Sequence, residues 1–180
     1  MQKLINYITT NMRTIIVICF LAFLVIFSSY KYNQIYVIQY TYDGIKYQAN
    51  NLNSGVPLSI EVNGVYKKGY FGNLDKFEGK IIIDGELCYV PDGDRSRGYE
   101  YSFNKYKMSP IASDNFKGFF FIGDMFKEIS VEIDEPENTG GDKFSYRYSW
   151  LISAPSENRE QAVQISNKLI QKLHKDVNIK

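Results

Sequence analysis

Residues 58–90 read LSIEVNGVYKKGYFGNLDKFEGKIIIDGELCYV, and the periodicity of this stretch decides the fold class. Leu58, Ile60 and Val62 alternate with Ser59 and Glu61. That period of two places apolar side chains on one face of a pleated strand and polar ones on the other. Asn63-Gly64 and Asp84-Gly85 stand between runs rich in β-branched and aromatic residues. Such dipeptides supply the positive φ angles that a two-residue type I′ turn demands, so each predicts a hairpin. Asp43-Gly44 upstream predicts a third, with strands over 34–42, 45–49, 58–62, 65–71, 77–83 and 86–90.

The pattern continues downstream. Ile129, Val131 and Ile133 alternate with Ser130, Glu132 and Asp134. Strands are expected over 99–106, 118–122, 127–134 and 143–152, with loops at 91–98 and 135–142 rich in Pro, Gly, Asp and Asn. About ten strands in a meander are enough to close a barrel or stack a sandwich. Near the carboxyl end the period changes: Ala162, Val163, Ser166, Leu169, Ile170 and Leu173 share one helical face. Glu157 and Glu160 lie early and Lys168, Lys172 and Lys175 late, as the helix dipole favours, and Ser153 or Ser156 is the expected cap. The expected fold is therefore mainly β: an antiparallel meander forming a barrel or sandwich, closed by a C-terminal amphipathic helix over 156–175 and preceded by one N-terminal transmembrane helix.

That transmembrane reading comes from residues 14–30. Between Arg13 and Lys31 lie 17 uncharged residues, Ile15 to Phe27 being unbroken apolar. As a helix they span about 25 Å, a little short of a 30 Å hydrocarbon core. Snorkelling of Arg13 and Lys31 closes the gap, and Tyr30 and Tyr32 suit the headgroup zone. A cleaved export signal is the competing reading, but Ile26 and Phe27 precede Ser28 and Ser29 at positions where cleavage needs small residues. Lys3, Arg13 and the amino terminus favour a cytoplasmic tail over 1–13 and an extracytoplasmic domain over 31–180. The expected location is the cell membrane, crossed once.

Charge and cysteine content exclude several functions. All 20 acidic residues lie at Asp43 or later, and only Lys3, Arg13 and Lys31 of the 21 basic ones precede it. The domain thus carries 18 basic against 20 acidic groups, and its only close basic groupings are Lys67 with Lys68, Arg95 with Arg97 and Lys105 with Lys107, so nucleic acid is not an expected partner. Cys19 lies in the apolar run and Cys88 is alone in the domain, which leaves no internal disulfide and an inert, buried thiol as the reading of Cys88. His174 is the only histidine, so neither a His-based triad nor a multi-histidine zinc site can be assembled. The loop Asp92-Gly93-Asp94-Arg95-Ser96 begins like a calcium loop, but Arg97 and Phe103 occupy positions that need Gly and Glu, so it reads as a solvated turn. The acidic run Glu132, Asp134, Glu135, Glu137 and Asp142 reads likewise. No catalytic residue, metal or cofactor is expected.

Aromatic residues make up 16% of the chain, and two groups of them carry the functional reading. Phe144, Tyr146, Tyr148, Trp150 and Ile152 share one strand face, either as core or as a binding wall, with Tyr146, Tyr148 and Trp150 as candidate ligand contacts and Trp150 expected in the core. Phe116, Phe119, Phe120, Phe121, Ile122, Met125 and Phe126 alternate less well, which predicts some exposed aromatics. The expected role is a non-catalytic binding or scaffolding module at the cell envelope, with an envelope protein as partner. A barrel for a small apolar ligand or carbohydrate, and a hydrolase with a carboxylate pair, are the alternatives.

Overall fold

The computed structural model describes residues 11–32, 34–69, 74–91, 99–134, 150–175 and 178–179. The chain divides between Gln34 and Ile35 into two units. The first contains helix α1, Met12–Tyr32, whose large apolar side chains from Ile15 to Phe27 are exposed on opposite sides. The unbroken run 15–27 amounts to about 20 Å of helix at 1.5 Å per residue. Among the described residues, no helix is long and apolar enough to cross a membrane.

The second unit is an antiparallel, nearly closed barrel. Its strands are β1 (Ile35–Gln48), β2 (Val56–Lys67), β3 (Asp75–Ile83), β4 (Glu86–Cys88), β5 (Glu100–Phe103), β6 (Met108–Ala112), β7 (Lys117–Ile122), β8 (Ile129–Asp134) and β9 (Trp150–Ala154). Their order is β4-β3-β2-β1-β9-β8-β7-β6, with β5 sharing the outer edge of β3 beside β4. The seam between β4 and β6 is stitched by Tyr89 and Ala112, which exchange two backbone hydrogen bonds of 2.7 Å. Inward side chains form a dry aromatic core in which Phe77, Tyr101, Phe103, Phe120 and Phe126 are fully buried.

The structure corrects two of the three predicted hairpins. Asp43-Gly44 and Asn63-Gly64 lie inside continuous strands, and β1 pairs with β2 without interruption from Ile35↔Lys67 to Lys46↔Val56. Both glycines mark close approach rather than a turn. A Cβ on Gly44 would sit 3.0 Å from the Ser153 carbonyl. Gly64 faces Gly79 across the β2–β3 ladder, where a Cβ would meet the Gly79 Cα at 2.7 Å and the Phe77 ring at 2.8 Å. Removing side chains there lets the strands coil into a barrel while Phe77 covers the gap. Only Asp84-Gly85 is the expected turn, with φ of 52° and 81°, and there the backbone does demand glycine's freedom.

Two further strands depart from the expected pattern. β6 contains Pro110, which a strand tolerates because only its β7 side carries a full ladder. β7 alternates poorly because both its faces are covered: Phe120 and Ile122 point into the barrel while Phe121 lies beneath a helix. The predicted exposure of this block is thus corrected for Phe120, Phe121, Ile122 and Phe126, all buried.

The C-terminal helix α2 (Arg159–Ile170) is present, shorter than the expected 156–175, and covers a face of the sheet. It lies on the outer wall, burying Ala162, Leu169 and Ile170 with Ile45, Tyr47 and Leu151. Its cap is Asn158, whose side chain accepts a 3.0 Å bond from the Gln161 N–H, while Ser156 donates to the Ser153 carbonyl at 2.7 Å. Beneath the helix, Ser166 Oγ meets Tyr47 OH at 2.7 Å, Ser130 Oγ at 2.8 Å and Ser153 Oγ at 2.6 Å. This hydroxyl cluster satisfies polar groups that the apolar interface would otherwise strand. Glu132, expected in a solvated loop, is instead buried on β8.

Candidate functional site

Among the described residues, one end of the barrel is open. A cleft of about 220 Å³ is lined by strand residues Lys46, Leu58, Ile83, Ile133, Trp150 and Ile152, with Asp84, Glu86, Asn115, Phe116 and Asp134 completing it. Register explains the assembly. Gln48 pairs with Trp150 and Lys46 with Ile152, so Lys46 is the diagonal neighbour of Trp150. The Lys46 ammonium lies 5.2 Å from the Trp150 ring centroid, a cation–π arrangement.

The opposite wall of the cleft comes from the Asp84-Gly85 turn. Glu86 accepts from Ser113 Oγ at 2.6 Å and from the Asn115 amide. Ser113 in turn accepts from the backbone N–H groups of Asn115 and Phe116, at 3.1 and 3.2 Å. Glu86 therefore ties β4 to the β6–β7 turn and holds the mouth's far rim. The hydrogen bonds from Ser113 and Asn115, then the Lys46 charge, hold its carboxyl below the usual range. Partial burial moves Asp134 the other way. Two residues beyond Glu86, Cys88 is fully buried, and desolvation, with Glu86 adding to it, pushes its thiol up to about 12. An inert thiol is the outcome.

The opposite end of the barrel carries a second polar cluster, this one sealed. The Asp75 carboxylate, only 4% exposed, accepts from Tyr66 OH, from the Lys107 ammonium and, at 2.8 Å, from the Gly69 N–H. Burial and the adjacent Asp75 raise the Tyr66 phenol. Phe126 stacks edge-on against Tyr66 and Phe103, both at 5.7 Å, and closes this end. Met125 and Phe126 have φ of 47° and 66°, the left-handed region that bulky residues enter only when packing dictates it.

Of the candidate contacts from sequence, Trp150 stands at the mouth, half-buried rather than fully in the core. Tyr146 and Tyr148 lie outside the described residues, as do Phe144 and nearly all of the calcium-like loop. Lys46, Glu86 and Asn115 were missed because they come from three elements far apart in sequence, and no local spacing links them. Among the described residues, no group of three or more His, Cys, Asp or Glu is placed to hold a metal. No protein-family model, curated protein or solved structure matches the chain.

Proposed function

We propose that this chain is a single-pass, membrane-anchored binding module whose β domain stands outside the cytoplasm and receives an envelope partner at its open mouth. The observation that carries this reading is the contrast between a filled interior and an open end. Phe77, Phe103, Phe120 and Phe126 occupy the space an enclosed apolar ligand would need, which disfavours a ligand barrel. The mouth, at about 220 Å³, falls below the roughly 300–1,000 Å³ of typical small-molecule pockets. It suits one side chain or one sugar ring of a larger partner, stacked on Trp150 and hydrogen-bonded by Lys46 and Asn115. For the anchor, support comes from the apolar run of α1 and the basic residues that flank it in sequence.

Photo-crosslinking from Phe116 in intact cells tests the module. A discrete adduct that disappears with Trp150→Ala is expected, and no adduct at Phe116 would count against the mouth. Resistance to alkaline carbonate extraction is expected of the anchor. A second reading rests on Glu86 and Asp134, two carboxylates in one cleft shifted in opposite directions, the arrangement of an acid–base pair. Hydrolysis of a polymer by the wild type but not by Asp134→Asn would favour it.

A further inference from the structure

We propose that the outer wall of the barrel at the start of β1 and the end of β2 rests on a lipid surface. The proposal rests on the reading of α1 as a membrane anchor. Val37, 71% exposed, pairs directly across the ladder with Val65, 38% exposed, and Ile35 pairs with Lys67 one pleat further on. The next outward pairs are polar, Gln39 with Asn63 and Thr41 with Glu61. The apolar band is therefore confined to one end of the barrel, the end at which β1 begins. Only two residues separate Tyr32 from Ile35, about 10 Å of extended chain, comparable with the roughly 5–7 Å headgroup zone of one leaflet.

Charge and area choose lipid over a second copy of the chain. Lys67 and Lys68 are exposed beside the band. A second copy would bring two more lysines of the same sign into the contact, whereas anionic headgroups attract them. Three aliphatic side chains also fall well short of the roughly 1,000 Å² that a stable protein interface needs, yet an apolar face of this size is enough to sit in the headgroup boundary once the chain is tethered. Lys46 and the mouth lie eleven residues along β1 from Ile35, about 36 Å of strand, so the docked band and the mouth occupy opposite ends of the barrel.

The test uses the full chain in vesicles of phosphatidylcholine and phosphatidylglycerol with brominated acyl chains, which quench nearby tryptophan. Trp150 is the only tryptophan, so Trp150→Phe provides a silent background for Val37→Trp, Val65→Trp and, as a control in the polar band, Thr41→Trp. With side chains about 5–10 Å into the headgroup boundary, quenching by about half is expected at positions 37 and 65, and little at Thr41→Trp or at native Trp150. Unquenched emission at both positions in a chain that floats with the vesicles would overturn the docking while leaving the anchor intact. Emission that shifts with protein concentration rather than with bromination would assign the band to a second copy. A chain that fails to float would overturn both readings.

Discussion

The two ends of this barrel are built on opposite plans. At one, Asp75 is sealed among Tyr66, Lys107 and the Gly69 N–H, and Phe126 stops the opening from a strained backbone. At the other, Lys46 spreads over Trp150, the two side chains half-buried, while Glu86 braces the rim. The first end spends its polar groups on one another and is structural. The second leaves an ammonium, an indole face and a carboxamide at the water boundary, where a partner can displace water from them. The boundary is sharp: Glu86 is held ionised in the rim, and Cys88, one pleat inward, is held neutral.

Phe126→Ala should break the stopper with the largest effect. Removing a fully buried ring that contacts Phe77, Phe103 and Phe120 is expected to cost about 3–5 kcal/mol, measured by urea denaturation. A loss under about 1 kcal/mol, the range of ordinary surface changes, would mean this end is as open as the mouth.

The dry side of the boundary can be titrated. Cys88 titrates near 9 unfolded and is pushed up to about 12 in the fold, so the folded state holds the thiol proton more tightly. That contribution is complete below about pH 9 and is lost as pH rises toward 12, on the order of 3–4 kcal/mol in all. Tyr42, pushed up to about 12 mainly by burial, adds a loss of the same sign above about pH 10. Stability measured from pH 8 to 11 should fall in the wild type and fall less in Cys88→Ala. Parallel curves would place Cys88 on the wet side.

How much of this was legible beforehand depends on whether the determining contact was local. The helix face Ala162, Ser166, Leu169 and Ile170 was readable because its period lies within one segment. So was the Asp84-Gly85 turn. Gly44 and Gly64 were misread because an identical dipeptide serves two physical needs, a positive φ in a turn or an absent Cβ against a crossing strand, and only the neighbouring strand distinguishes them. Barrel against sandwich was undecidable in the same way, since closure depends on the Tyr89–Ala112 bridge across the seam. Trp150 announced itself by its alternating aromatic strand, whereas Lys46 and Glu86, ordinary charged residues in sequence, gain their role only from register.

Asp75→Asn should rank below the stopper mutation. It keeps the shape and an acceptor but removes the charge opposite a Lys107 side chain that is 33% exposed, so about 1–3 kcal/mol is expected. The loss should change little with added salt, because buried pairs are weakly screened. A loss that vanishes in high salt would show that this end, too, is open to solvent.

The mouth should yield the smallest effects. Trp150→Ala removes only a half-buried ring, so about 1–2 kcal/mol is expected, below the roughly 3–5 of a fully buried aromatic. Lys46→Met goes further, keeping an unbranched apolar stem while removing the cation over Trp150. An exposed cation–π contact is worth about 0.5–1 kcal/mol, and methionine returns part of it through its own contact with the ring, so stability should stay within about 0.5 kcal/mol of the parent. Trp150 emission should nevertheless change, since the ammonium over the indole is gone, and crosslinking from Phe116 should weaken. The outcome that matters is the pairing of these readouts. If Lys46→Met destabilises the domain as much as Asp75→Asn does, Lys46 is a structural tie like Lys107, the two ends are equivalent, and the mouth loses its claim to be the binding end.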